Sequence, residues 1–93
     1  MRFTWHEEKN LANHSKHRVW FEEAQTIWAD EHSLEFFDPD HSDNEDRYIR
    51  VGFSTASRLL LVVFCERDNS NTIRLISARG ATKRERSQYE EGI

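Results

Sequence analysis

The chain has 93 residues, of which 37% are apolar and 32% charged, with a formal net charge of −4. This length predicts a single domain over residues 1–93 with one hydrophobic core. A single cysteine excludes an internal disulfide, and the longest apolar run, residues 59–65, is too short to span a bilayer. With no signal peptide visible, we expect a cytoplasmic protein without membrane contact.

The charge is divided unequally between the two halves of the chain. Residues 1–46 hold four Lys or Arg against twelve Asp or Glu, giving −8, whereas residues 47–93 hold nine against five, giving +4. This asymmetry favours a nucleic-acid surface on the second half and leaves the acidic half for another partner. An acidic chain is poorly suited to coat DNA nonspecifically, but it can carry a local cationic site.

The first third of the sequence predicts a short strand and two helices. Residues 2–5 predict the strand, and residues 6–18, which are rich in helix formers, predict the first helix. Phe21, Ala24 and Trp28 recur at spacings of three and four, so the second helix, over residues 21–29, should bury one face. Trp20 stands at its N-cap, where a small polar residue is usual. This Trp either packs in the core or anchors a partner.

The middle of the sequence has extended patterns. It predicts four strands, over residues 34–37, 47–54, 58–65 and 72–78. Ile49, Val51 and Phe53 alternate on one face of the second of these strands. Residues 38–46 form an acidic, turn-rich loop before it. Cys65 ends an unbroken apolar run typical of a central strand, so we expect a buried hydrophobe and not a nucleophile.

The end of the sequence predicts a final helix. Thr82 and Glu85, three positions apart, form a capping box that starts a helix reaching about residue 91. The complete order is a short first strand, two helices, a meander of about four strands and a C-terminal helix. This order predicts an α+β domain whose sheet is antiparallel.

Cations crowd the end of the last predicted strand and the first turn of the final helix. They are Arg74, Arg79, Lys83, Arg84 and Arg86. Positive charge at a helix N-terminus is unfavourable by a few tenths of a kcal/mol. A bound polyanion would relieve the repulsion, because backbone N–H groups and cations would face its phosphates together. A solvated basic helix explains the same residues equally well.

The sequence predicts no metal or other cofactor. The five histidines and one cysteine lack zinc-ligand spacing, and the acidic loop over residues 38–46 lacks the glycine of a calcium loop. With three glycines, the chain has no glycine-rich phosphate loop.

Segments along nearly the whole chain carry a resemblance to a known family. They are Phe3–Asn10, Asn13, Lys16–His17, Val19–Ala24, Asp40–Ser42, Glu45, Arg47, Ile73–Arg79, Ala81–Arg86 and Tyr89. In this order they are similar to the BrnT family, whose members are ribonuclease toxins of bacterial type II toxin-antitoxin systems with a RelE-like fold. Gly80 departs from the pattern, which commonly has Lys there.

The resemblance also implies partners. The cognate antitoxin of BrnT proteins, BrnA, carries a ribbon-helix-helix DNA-binding element. We therefore expect an RNA substrate and a BrnA-like antitoxin, in a 2:2 complex because that element is itself a dimer. Operator DNA would be bound only through the antitoxin. The acidic N-terminal half, with Trp20 and Trp28 near it, offers charge opposite to a basic antitoxin segment.

The ribonuclease activity that the resemblance implies would, without a metal, proceed by attack of the RNA 2′-hydroxyl on the adjacent phosphorus, with fixed cations stabilising the transition state. Arginine suits this role, since its forked guanidinium is permanently charged.

Four side chains are candidates for this chemistry. Arg79 matches the family's Arg in the Ile-Ser-x-Arg stretch and is the first choice for stabilising the transition state. Arg47 matches the Arg after the acidic loop and is the second choice, with an ion pair to that loop as its alternative. His41 and Glu85 are the candidates for proton transfer, with the capping box as the alternative role of Glu85. The residues expected to bind the RNA backbone or stack on bases are Arg58, Arg74, Lys83, Arg86, Tyr48 and Tyr89.

A second class of function is compatible with the sequence. A non-catalytic module could use the sheet and basic helix to engage a protein partner, as a corepressor subunit with a ribbon-helix-helix protein. Gly80 removes a cation from the candidate site, and no residue stands out as the general base. Growth arrest upon induction would distinguish a toxin from such a module.

Overall fold

The computed structural model describes residues 1–41 and 45–92. Its elements are β1 (Arg2–Thr4), α1 (Glu7–His17), α2 (Phe21–Ala24), β2 (Leu34–Asp38), β3 (Arg47–Phe53), β4 (Leu59–Arg67), β5 (Thr72–Gly80) and α3 (Lys83–Glu91). Two 3-10 turns, Gln25–Ala29 and Pro39–His41, follow α2 and β2. The predicted strands and the first and last predicted helices are present within a few residues. The second predicted helix, over residues 21–29, is α-helical only as far as Ala24 and continues as a 3-10 turn. Residues 42–44 of the predicted acidic loop lie outside the described residues.

The sheet has five strands in the order β1-β5-β4-β3-β2. Consecutive strands from β2 to β5 are antiparallel neighbours. β1 instead pairs in parallel with β5, with Arg2 opposite Thr72 and Thr4 opposite Arg74. The sheet is mixed, so the prediction of a four-stranded antiparallel meander is wrong. A three-residue strand carries too little periodicity to reveal its partner, and the two helices after it let the chain cross to the far edge.

One face of the sheet is covered by α1 and α2. The buried core on this face comprises Val19, Phe21, Ala24, Ile27, Leu60, Val62, Phe64, Ile73, Leu75 and Ala78. Side-chain amides hold α1 in place, since its buried residues are Asn10 and Asn13. The Asn13 Nδ2 donates to the carbonyls of Val19 and Ala78, both at 2.9 Å, and its Oδ1 accepts from the Ala78 N–H. These bonds explain why α1 has so few apolar positions.

Replacing Asn13 should destabilise the domain markedly. Asn13→Ala leaves the buried N–H and C=O of Ala78 and the carbonyl of Val19 without these partners. We expect the free energy of unfolding to fall by roughly 2–4 kcal/mol, because unsatisfied buried polar groups retain their desolvation cost. Urea denaturation measures the change. Ser15→Ala, at an exposed position of the same helix, is the control, and an equal loss in both variants would contradict the role of Asn13.

The other face of the sheet is partly covered by α3. Its smaller core comprises Val51, Leu59 and Leu61, with Ile49, Phe53, Val63, Ala81 and Tyr89 packed against it. The Tyr89 hydroxyl donates to Asp30 Oδ2 at 2.6 Å, and its ring packs edge-on against Phe53. The capping box at Thr82 is confirmed, since Thr82 Oγ1 accepts from the Glu85 N–H and the Glu85 carboxylate accepts from the Thr82 N–H.

Among the described residues, none of the helices has the length and apolar character needed to cross a membrane.

Candidate active site

A β-bulge in β5 brings two arginines to the face of the sheet that α3 partly covers. The pairing of β4 with β5 skips Ile76. Ile73 and Ala78, five positions apart, are both buried in the core beneath α1 and α2, although strict alternation would place them on opposite faces. The extra residue restores their common orientation. By the same shift, Arg74 and Arg79 are carried together to the opposite face.

That face holds an open cavity of about 370 Å³. Its lining residues are Asp38, Arg47, Ile49, Leu61, Val63, Ile76, Ser77, Arg79 and Glu85. We call it the arginine cavity. Three of the four predicted catalytic residues, Arg79, Arg47 and Glu85, therefore meet at one place, although they lie on β5, β3 and α3. Sequence reasoning placed Asp38 in the acidic loop without a catalytic role, and it did not select Ser77, for which the sequence holds no signal.

Arg79 and Glu85 form a bidentate ion pair at the edge of the cavity. The two terminal nitrogens of Arg79 donate to the two carboxylate oxygens of Glu85, each at 2.8 Å. One of them also donates to the Gly80 carbonyl at 3.1 Å. Both predicted roles of Glu85 are thus compatible, because the carboxylate caps α3 and also faces the cavity. The ion pair positions the Arg79 guanidinium where the strand turns into the helix.

The pKa of Glu85 lies below its ordinary value. Its main cause is the hydrogen bonding from Arg79, which burial opposes and the contacts with Thr82 reinforce. Glu85 is therefore a carboxylate at neutral pH and has no proton to donate there. The same pairing raises the pKa of Arg79, which stays charged.

A second group of arginines surrounds Glu45 on the same face. Arg47 of β3 lies opposite Cys65 of β4, which lies opposite Arg74 of β5. Glu45 accepts from Arg67 Nη2 at 2.8 Å. A hydrogen bond with the Cys65 thiol holds the pKa of Glu45 below its ordinary value, and the charges of Arg67, Arg74 and Arg47 add to this, against the effect of burial. Arg67 was missed by sequence reasoning, since nothing local signals its partner.

Cys65 itself is buried, as predicted. Burial, followed by the hydrogen bond with Glu45, raises the pKa of the Cys65 thiol to about 11. A thiol with such a pKa is protonated at neutral pH and is a poor nucleophile.

Two of the residues predicted to bind RNA lie away from the arginine cavity. Arg58 pairs with Glu23 of α2, with 2.9 Å between Arg58 Nε and Glu23 Oε2, on the side of the sheet that α1 and α2 cover. Tyr48 stacks on the buried Phe64 ring at 5.7 Å on that same side. Both side chains are thus engaged within the fold, and nothing in the local sequence around them indicates these distant partners.

The predicted residues of α3 differ in their availability. Lys83 and Arg86 are exposed, and the Arg86 guanidinium lies 5.8 Å from the centroid of the Phe53 ring. Tyr89 instead anchors α3, and burial together with the bond to Asp30 raises its pKa to about 12. The main chain of His41 lies in the 3-10 turn after β2, and its side chain lies outside the described part of the structure. Within the described residues, no group of three or more His, Cys, Asp or Glu could hold a metal ion.

A family model that matches most of the chain identifies the family to which the protein belongs. Residues 5–85 match the family model described as "Ribonuclease toxin, BrnT, of type II toxin-antitoxin system". The chain belongs to the BrnT family. This match spans all the residues that line the arginine cavity, from Asp38 to Glu85. The family resemblance drawn from the sequence is confirmed.

The fold is also that of a solved BrnT structure. The chain is similar to the 1.1 Å crystal structure of the Brucella abortus ribonuclease toxin BrnT, with a TM-score of 0.64 and 22% sequence identity. The alignment covers 89% of this chain and 99% of that one. At this identity the likeness establishes the BrnT fold alone, and the RelE-like description stays a prediction. No curated protein matches the chain significantly.

Gly80, where the resemblance leads us to expect Lys, can be tested by substitution. A side chain built at Gly80 meets no atom within 4 Å of its Cβ, and the backbone there is not left-handed. Gly80→Lys should therefore fold normally. Gly80 lies opposite Leu60 of β4, so its side chain would leave the sheet on the side of α1 and α2, whereas Arg79, opposite Leu61, faces the arginine cavity. We expect RNA affinity at low salt to change by less than about 3-fold, since the added cation would not face phosphates bound at the arginine cavity. Fluorescence anisotropy at two salt concentrations measures this, with Gly80→Ala as the control. A larger rise, with a steeper dependence on salt, would place RNA on the side of the sheet that α1 and α2 cover.

Proposed function

We propose that this chain is a cytoplasmic, metal-independent endoribonuclease that cleaves RNA in the arginine cavity and is neutralised by a cognate antitoxin. The observation that carries the proposal is the convergence of Arg79, Arg47 and Glu85, from three separate elements, on one open cavity in a BrnT-family chain. Two permanent cations can stabilise the transition state of a metal-free phosphodiester cleavage, and one carboxylate can accept the proton of the nucleophile.

In the proposed reaction, the RNA 2′-hydroxyl attacks the adjacent phosphorus and the bond to the 5′-oxygen breaks. The products are a 2′,3′-cyclic phosphate and a free 5′-hydroxyl. Arg79 and Arg47 stabilise the negative charge that develops on the non-bridging oxygens. The Glu85 carboxylate accepts the 2′-hydroxyl proton, and His41 is the candidate that supplies a proton to the leaving oxygen.

The backbone of the RNA would extend over the group of arginines around Glu45. Arg67 donates to the Glu45 carboxylate there and the charge of Arg74 acts on the same group, so a phosphate that displaced Glu45 would meet both cations. Lys83 and Arg86 would contact phosphates beside α3. The contacts of Arg58, Tyr48 and Tyr89 within the fold make them weaker candidates for RNA binding than these cations.

The partner we propose is a BrnA-like antitoxin with a ribbon-helix-helix element. Because that element is a dimer, a complex with two copies of each chain is expected. Operator DNA would be bound by the complex and not by this acidic chain alone.

A corepressor module without catalytic activity is the second candidate. It is favoured by the engagement of both terminal nitrogens of Arg79 by Glu85, which a purely structural ion pair would also produce. Induction of the chain in a bacterial host separates the two. A toxin arrests growth, and co-expression of the product of the neighbouring gene restores it. Unimpaired growth, with the protein folded and abundant, would favour the corepressor.

A further inference from the structure

A second cavity, of about 620 Å³, lies on the side of the domain that α1 and α2 form. Its lining residues are Glu7, Leu11, Trp20, Glu22, Glu23, Thr26, Thr55 and Ala56. They come from α1, from the start of α2 and the 3-10 turn after it, and from the turn between β3 and β4. We call it the helix groove. It shares no lining residue with the arginine cavity, which lies on the other side of the sheet.

The helix groove exposes large apolar side chains to solvent. Leu11 is 55% exposed and Trp20 is 40% exposed. The Trp20 ring stacks on His14 with 3.8 Å between ring centroids and an angle of 9°, so it is held in a fixed orientation outside the core. Tryptophan is enriched among the residues that dominate binding energy at protein interfaces. Of the two roles open for Trp20 in the sequence, this placement favours a partner-binding anchor.

The groove is rigidly built. Thr26 Oγ1 donates to the Glu23 carbonyl at 2.6 Å and accepts from the Thr55 N–H at 3.0 Å. Ser54 Oγ, in the same turn, donates to the Glu23 carboxylate at 2.7 Å. These bonds fix α2 against the turn between β3 and β4. A preformed groove binds with less loss of conformational entropy than one that must be ordered.

The rim of the groove carries uncompensated negative charge. Glu23 pairs with Arg58, but Glu7 and Glu22 share a neutral partner, the Asn10 Nδ2, at 3.3 and 2.8 Å. Among the described residues, neither carboxylate forms a salt bridge. An apolar groove with an acidic rim is complementary to a segment that presents apolar anchors flanked by lysine or arginine.

We propose that the helix groove is the docking site of a basic, amphipathic segment of the antitoxin. Its apolar side chains would cover Leu11 and Trp20, and its cations would face Glu7 and Glu22. This inference rests on the proposed function, since it takes the partner to be an antitoxin. Because groove and arginine cavity lie on opposite sides of the sheet, loss of docking should free the ribonuclease without changing its catalytic activity.

The test uses Leu11→Lys, which places a positive charge in the groove, and Trp20→Ala, which removes the aromatic anchor. Ala12→Lys is the matched control, because Ala12 is exposed on the same helix but does not line the groove. Each full-length variant is titrated with the product of the neighbouring gene by calorimetry and assayed alone for RNA cleavage. We expect the dissociation constant to rise about 30-fold or more for Leu11→Lys, with cleavage and melting temperature unchanged. Ala12→Lys should bind like the wild type.

The outcomes separate this inference from the proposed function. A wild-type chain that does not bind the neighbouring product would refute both. A wild type that binds, with Leu11→Lys and Trp20→Ala binding equally well, would refute the groove alone. An equal loss of antitoxin affinity in the control variant Ala12→Lys would also refute the helix groove as the docking site. Light scattering of the free chain tests whether a second copy of the chain occupies the helix groove instead. If the wild type were a dimer, and Leu11→Lys made it monomeric without weakening antitoxin binding, the groove would be assigned to this second copy.

Discussion

Arg79→Ala is expected to lower the rate of RNA cleavage by about 10²- to 10³-fold, because it removes a charged donor that acts mainly in the transition state. Toxicity upon induction should disappear with it. The fold should survive, since Arg79 lies outside both buried cores and its ion pair with Glu85 is partly exposed, so the melting temperature should fall by less than about 5 °C.

Arg86→Ala is the matched control for this prediction. Arg86 is an exposed cation that directly follows Glu85, one helical turn after Thr82, and its guanidinium packs on Phe53 outside the lining of the arginine cavity. Arg86→Ala should lower the rate of RNA cleavage by less than about 10-fold, because Arg86 would be one of several cations that contact the RNA backbone. The effect should be smaller still at high salt, which screens this contact. A toxic Arg79→Ala variant would refute the assignment. An unfolded one would show that the ion pair with Glu85 is structural.

Glu85→Gln is expected to lower cleavage by about 10²-fold or more, because an amide cannot accept the 2′-hydroxyl proton. The substitution is isosteric, and the amide oxygen can still accept from the Thr82 N–H, so α3 should remain capped. Glu90→Gln, at an exposed position of the same helix, is the control and should leave the rate unchanged. Single-turnover cleavage by purified variants is the measurement. Wild-type activity in Glu85→Gln would restrict Glu85 to capping.

The pH dependence of the same pair has a definite sign. The pKa of Glu85 is lowered from an ordinary value of 4.5, chiefly by Arg79. The ion pair therefore contributes to stability above pH 4.5, and this contribution is lost as the pH falls through the lower pKa of the folded state. Protonation of Glu85 should accordingly limit cleavage only below pH 4.5, where the rate of the wild type should fall.

Local patterns in the sequence were sufficient to predict most helices and strands. The spacing of Phe21 and Ala24 marks the buried face of α2, and Thr82 with Glu85 marks the start of α3, because each signal lies within one or two helical turns. The parallel pairing of β1 with β5 could not be predicted this way. It joins residues 70 positions apart, as with Arg2 and Thr72, and depends on how the whole chain crosses the domain.

The candidate site could be predicted only in part from the sequence, because it too depends on contacts between residues that are distant along the chain. Arg79 was selected because it ends a strand and matches a family motif, whereas the bulge at Ile76 that orients it has no local signature. Arg58 looked equally available in the sequence. Its partner Glu23 is 35 residues away, and only the folded structure shows that this pair joins α2 to the turn before β4.

Incubation of the purified chain with RNA in excess EDTA tests most directly whether the chain cleaves RNA without a metal. A DNA strand of the same sequence is incubated in parallel, and the Arg79→Ala variant is the control for contaminating nuclease. The account predicts undiminished cleavage of RNA by the wild type, products that end in 2′,3′-cyclic phosphate or 3′-phosphate, intact DNA, and almost no cleavage by Arg79→Ala. Cleavage that the chelator abolishes, or degradation of the DNA strand by the wild type, would contradict it.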